Sequence, residues 1–158
     1  MTSFFKTTVL SIAALFGTGA SMAINANAQT HYAPTPDIYV VMFRADWCAP
    51  CKIVEPRLQS VLQNFNDPRI EYVSIDIGNG NGDFNANAVF DRGLVQQYNT
   101  WLGVTGFAAI VDGDTKQTMG CVNLTYDADT MARHIRNLQS NAQRNQATFD
   151  ITCPEANN

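Results

Sequence analysis

The sequence predicts an α/β chain, a mixed sheet flanked by helices. Three observations carry that prediction. Ile38-Tyr39-Val40-Val41-Met42-Phe43 is a continuous apolar, β-branched run, as expected of a strand buried on both faces of a sheet. From Cys51 the period changes: Ile53, Val54, Leu58, Val61, Leu62 and Phe65 recur at spacings of three and four, one side of a helix. The rest of the chain alternates likewise and closes with a hairpin and a helix, an order that gives an α/β sandwich around a mixed sheet.

Taken in order, the chain has 158 residues, enough for one domain with a core. Its start is set apart. Met1 to Lys6 carries a single positive charge, Thr7 to Ile24 is apolar and uncharged, and Ala26-Asn27-Ala28 is an A-x-A site. Residues 1–28 are therefore expected to be a signal peptide cleaved after Ala28, which places the protein in the periplasm or outside the cell. The competing reading is an uncleaved anchor, for which about 18 residues rich in Gly, Ser, Thr and Ala are barely long enough. Residues 29–37, with Pro34 and Pro36, read as an extended lead-in to a domain over 38–141.

Within that domain the first strand hands over through Arg44 to Pro50 to the helix from Cys51. Pro56 is expected to kink this helix and Asn66-Asp67-Pro68 to end it. Ile70 to Ile77 is a second strand, and Gly78 to Asn87 a polar loop. There Asn79, Asn81, Asp83, Asn85 and Asn87 alternate like calcium ligands, but Phe84 and Phe90 stand where Gly and Glu belong. Ala88 to Asn99 reads as one helix. Phe107 to Val111 and Lys116 to Val122 form a hairpin about Asp112-Gly113-Asp114. Asp127 is placed to cap a last helix reaching about Asn141, and residues 142–158 are a polar tail. Trp101 and Leu102 are expected in the core or edging a groove, and His134 on a solvated helix face. His31 is isolated. Asn123-Leu124-Thr125 matters as a sequon only in a eukaryotic host.

Composition excludes some functions. Without Lys6 the chain carries nine Lys and Arg against fourteen Asp and Glu, a net charge near −5, and shows no basic patch, so nucleic acid is not an expected partner. Four cysteines in an exported chain fit an oxidising compartment, and they permit three pairings.

Cys48-Ala49-Pro50-Cys51 carries the chemistry. It lies where a buried strand meets a helix, and the unpaired N–H groups and partial positive charge of a first helical turn stabilise a thiolate on Cys48. Cys51, one turn inward, can resolve a mixed disulfide, and Pro50 is tolerated where no N–H is needed. The blander readings are half of a zinc site, which lacks a second ligand pair, and a purely structural short disulfide. Trp47, Ala49 and Pro50, beside the cysteines, are expected to wall a substrate groove. Cys121 and Cys153, 32 residues apart, read as a structural disulfide pinning the tail, or alternatively as a second redox pair relaying electrons to the first. Closing such a loop contributes about 3–4 kcal/mol by the chain-entropy model.

Phe43 to Lys52 followed by Pro56 resembles the active-site strand, turn and kinked helix of the thioredoxin superfamily. Ser74-Ile75-Asp76, Gly103-Val104-Thr105-Gly106-Phe107 and Gly113 resemble its later landmarks, so that the likeness covers about Ile38 to Leu138. The resemblance implies a thioredoxin-like fold and a protein-disulfide oxidoreductase that needs no cofactor, since its two sulfurs carry both electrons. It also implies partners that are protein thiols and disulfides, with a membrane redox partner as a further candidate, and a monomer. Three positions depart from the family pattern. Met42 stands where a buried acid is common, Ala108 where a cis-proline is usual, and the stretch between Asp76 and Gly103 is longer. The resemblance thereby implies that Phe107 and Ala108 complete the substrate groove opposite the cysteines. A trans Phe107–Ala108 bond is expected, because a cis peptide without proline costs about 2.5–4 kcal/mol. The rival functions are a soft-metal, copper-type binding protein using the same cysteines and a redox-inactive interaction module.

Overall fold

The computed structural model describes residues 35–78, 86–146, 148 and 152–156. The expected signal peptide, most of the lead-in, His31, the alternating Asn and Asp loop from Asn79 to Asn85 and the tail residues Phe149 and Ile151 lie outside the described residues. The elements run β1 (Ile38–Arg44), α1 (Cys51–Phe65), β2 (Ile70–Asp76), α2 (Ala86–Phe90), α3 (Val95–Thr100), β3 (Phe107–Asp112), β4 (Thr118–Asn123) and α4 (Ala128–Gln143). The four strands form one sheet in the order β2-β1-β3-β4. β1 pairs parallel with β2, Met42 opposite Ser74, and antiparallel with β3, Met42 opposite Ala108. β3 and β4 make the hairpin. The parallel pair needs a crossover, which α1 supplies.

From Ile38 to Phe43 β1 is apolar, and each of its faces packs against a helical layer. Ile38, Val40 and Met42 join Val54, Leu58 and Val61 of α1 and Met131, Ile135 and Leu138 of α4. Tyr39, Val41 and Phe43 face the other way, toward Val89, Leu94 and Trp101. The hairpin turns where expected. Asp112 Oδ1 accepts the N–H groups of Asp114 at 2.9 Å and Thr115 at 2.7 Å. A Cβ on Gly113 would fall 1.7 Å from the Pro36 carbonyl oxygen, so only glycine lets the turn approach the lead-in.

α4 begins as read, with the Asp127 carboxylate accepting the Thr130 N–H at 2.7 Å. That bond holds the Asp127 carboxyl below its usual range. α1 runs continuously through Pro56 and ends at Asn66, in the left-handed region at φ 45°. Beside it Asp67 ties α1 to α4. A hydrogen bond from Gln139, with others from the Arg69 N–H and Arg136, lowers its carboxyl to about 2.

Two expectations fail. The helix read over Ala88–Asn99 is two helices, because Gly93 at φ 68° ends the first: its N–H reaches the Phe90 carbonyl at 3.1 Å and that of Leu94 reaches Val89 at 2.9 Å. β4 starts at Thr118 rather than Lys116, since Lys116 takes φ 60° to finish the turn. Among the described residues no helix is long and apolar enough to cross a membrane.

Candidate active site

β1 delivers Arg44 to the end of the sheet, and the chain turns through Ala45 to Pro50. The Cys48 N–H closes this turn on the Ala45 carbonyl at 3.1 Å. Pro50 already has helical dihedrals, φ −59° and ψ −33°, so α1 starts without a side-chain oxygen cap. A sulfur takes that place: the Cys51 N–H points at Cys48 Sγ at 3.1 Å. The two cysteines are bonded to each other, with Cα atoms 5.4 Å apart.

Exposure does not distinguish the two cysteines, although Cys51 lies one turn further into the helix. Cys48 is 3% and Cys51 2% exposed. Their polar partners differ instead. Cys48 Sγ sits on an N–H donor, which favours negative charge. Cys51 Sγ lies 3.8 Å from the Phe43 carbonyl oxygen, an acceptor that favours a thiol S–H over a thiolate. Met42, fully buried in the same apolar cluster as both cysteines, offers no proton acceptor.

Of the expected groove residues, Trp47, at 66% exposed, Ala49 and Pro50 are at the surface. Phe107 and Ala108 are not groove walls: both side chains are buried, because β3 is covered on both faces and the Phe107 ring stacks on Phe43 with centroids 4.9 Å apart. The Phe107–Ala108 peptide is trans, no cis bond occurring among the described residues. The preceding Gly106, at φ 92°, lies beside Pro50 and Cys48. A Cβ there would come within 2.9 Å of the Pro50 Cβ and 3.6 Å of Cys48 Sγ. In the sequence Gly106 stands out only as a landmark of the family resemblance. A glycine just ahead of a buried strand was the available signal.

Trp101 is buried as expected, whereas Leu102 is 51% exposed. His134 is not simply solvated; its ring lies 5.3 Å from that of Tyr126. A cluster of charges sits beside the turn. Arg44 pairs with Asp46 at 2.9 Å, Glu55 at 3.0 Å and Asp76 at 2.5 Å. Glu55 also accepts from the Tyr72 hydroxyl at 3.1 Å. Burial, with the Glu55 charge, pushes that hydroxyl up to about 12.

Cys121 and Cys153 form the second disulfide. Cys121 belongs to the cluster on the α3 side of the sheet, whereas Cys48 and Cys51 belong to the α1 side. The sheet thus stands between the two pairs. Among the described residues no group of three or more His, Cys, Asp or Glu is placed to hold a metal.

A parallel β1–α1–β2 unit carrying an antiparallel β3–β4 hairpin, with a Cys-x-x-Cys disulfide where β1 meets α1, is one arrangement among mixed sheets. Residues 23–89 match the family model described as thioredoxin. The fold is thioredoxin-like. Thioredoxin H8 of Arabidopsis thaliana is 40% identical over 43 residues, 27% of this chain and 28% of that protein. Thioredoxin H2 of the same plant is 38% identical over 40 residues, 25% of this chain and 29% of that one. The chain therefore spans under a third of the length of these curated relatives. Among solved structures, a thiol:disulfide interchange protein of the thioredoxin family from Chlorobium tepidum shares 19% identity over 66% of this chain and 81% of that one, at a TM-score of 0.47. A thioredoxin from Halobacterium salinarum shares 20% identity over 66% and 76%, at 0.42.

Proposed function

We propose that this protein is a thiol–disulfide oxidoreductase that exchanges disulfides with protein substrates through Cys48 and Cys51. The observation that carries the reading is the asymmetry of the pair: an N–H on Cys48 Sγ and a carbonyl oxygen near Cys51 Sγ. In the reducing direction the Cys48 thiolate attacks a substrate disulfide, forms a mixed disulfide and expels one substrate thiolate. Cys51 then loses its proton to solvent and attacks Cys48 Sγ. That step regenerates the Cys48–Cys51 disulfide and releases the second substrate thiolate, so two electrons pass from the dithiol to the substrate. The exposed Trp47, Ala49 and Pro50 flank the sulfurs and supply the surface on which a substrate chain rests. With Cys51→Ala a mixed disulfide through Cys48 is expected to accumulate on protein substrates, and with Cys48→Ala none. Trapping through Cys51 instead would overturn the assignment.

The same proposal places the mature protein outside the cytoplasm. The uncharged stretch Thr7–Ile24, the A-x-A site at Ala26–Ala28 and a second, chain-tethering disulfide support this. Mass analysis of the exported protein should find Gln29 at its amino terminus. A chain that keeps Met1–Ala28 would refute cleavage.

A further inference from the structure

Trp101 is almost wholly buried, and its indole N–H must find an acceptor. It finds one in the tail: Nε1–H donates to the Pro154 carbonyl at 3.0 Å. That carbonyl belongs to the residue after Cys153, which is bonded to the fully buried Cys121 on β4. Thr152 adds a hydroxyl bond to the Cys121 carbonyl at 2.8 Å. The acceptor for a core tryptophan is thus supplied by a segment that a disulfide holds in place.

The other end of Trp101 leads to the active site. Its ring meets Phe43 and Phe107 edge-on, at centroid distances of 5.8 and 5.4 Å, and those two rings stack on each other. The backbone of this aromatic trio reaches Cys51 through Phe43, and its neighbour Gly106 lies beside Cys48. The Phe43 carbonyl oxygen lies 3.8 Å from Cys51 Sγ and accepts the Gly106 N–H at 2.9 Å. Gly106, next to Phe107, is the residue packed against Pro50 and Cys48 Sγ. The Trp101 carbonyl accepts the Val104 N–H at 3.0 Å, which ties the tryptophan into the loop leading to Gly106. Although the sheet separates the two disulfides, these contacts pass around the ends of β1 and β3.

We propose that Trp101 is a positioning residue for the active-site sulfurs and that the Cys121–Cys153 bridge sets it through the tail. With the tail released, the indole N–H has no Pro154 carbonyl, and the Phe43–Phe107 pair loses the edge contact that aligns the Phe43 carbonyl and Gly106 with the sulfurs. The proposal rests on the exchange chemistry assigned to Cys48 and Cys51. Its test reads a property of that pair alone, the equilibrium constant of the Cys48–Cys51 disulfide with glutathione. Alkylation and peptide mass of the fragment holding both cysteines report it, whether or not the protein catalyses exchange on protein substrates. A failure to catalyse would count against the functional reading, and an unmoved constant against this one.

Trp101→Phe keeps a ring in the core, leaves both disulfides intact and removes the N–H. Cys121→Ala/Cys153→Ala removes the tether. Each is expected to shift the constant in the same direction by at least about twofold, with circular dichroism unchanged and the combined variant no further displaced than the larger single effect. A wild-type constant in Trp101→Phe would overturn the proposal even if the cysteine variant shifts, because the bridge would then act by another route. Additive shifts would do the same. Should the cysteine variant fail to fold, Trp101→Phe decides alone.

Discussion

The two disulfides belong to clusters on opposite faces of one sheet and differ in span and in polar surroundings. Cys48–Cys51 closes a separation of three residues at the start of α1, has an N–H on one sulfur and is flanked by exposed Trp47, Ala49 and Pro50. Cys121–Cys153 closes a separation of 32, starts from a fully buried strand residue and is reinforced by Thr152 and Pro154. What a cysteine pair does is thus set by its surroundings. The short bridge lies at a helix start with an N–H on one sulfur, and the long one ties the segment from Thr152 to Pro154 to β4.

The stability of each bridge offers the largest test. By the chain-entropy relation the 32-residue bridge contributes about 3–4 kcal/mol and the three-residue one about 1.5–2. Denaturant unfolding of Cys121→Ala/Cys153→Ala should lie below that of Cys48→Ala/Cys51→Ala by on the order of 2 kcal/mol. Equal losses would erase the distinction drawn here.

Gly106→Ala sharpens the comparison from the active-site side. The substitution adds a Cβ 2.9 Å from Pro50 at a φ of 92°, and so should destabilise the fold by about 1–3 kcal/mol. It should also slow exchange at Cys48 and leave protection of Cys121 and Cys153 from alkylation unchanged. Unaltered exchange would show that the sulfur tolerates a bulkier neighbour.

The smallest effect concerns a site remote from both sulfurs. Asp67, lowered from its ordinary 3.8 to about 2, favours the fold when ionised. Its contribution is complete above about pH 4 and is lost as pH falls toward 2. Asp67→Asn should cost about 1–2 kcal/mol at neutral pH, flatten acid unfolding across that window and leave exchange intact. An unchanged acid transition would show that its bonds to Gln139 and Arg136 carry no net stability.

Much of the frame was legible in the residues. β1 was readable because an unbroken apolar run suits only a strand covered twice, and α1 because its period changes at Cys51. Asp127 marked the start of α4 and Asp112-Gly113-Asp114 the hairpin. Gly93 also carried the signal that divides Ala88–Asn99, but the apolar spacing of Val89, Phe90, Leu94, Val95 and Tyr98 masked it.

The strand-to-helix handover, the Cys-x-x-Cys pair upon it and the apolar faces that build the sheet can all be read from the residues alone. These depend on residues within a few positions of each other, where period, turn chemistry and helix-start geometry act directly. Only the tertiary structure decided that Phe107 and Ala108 are buried, that Gly106 meets Cys48 and that Trp101 bonds to Pro154. Such contacts join residues about 50 positions apart. They follow from β1–β3 register and from the docking of Thr152, Cys153 and Pro154 against Cys121 and Trp101, which local patterning does not encode.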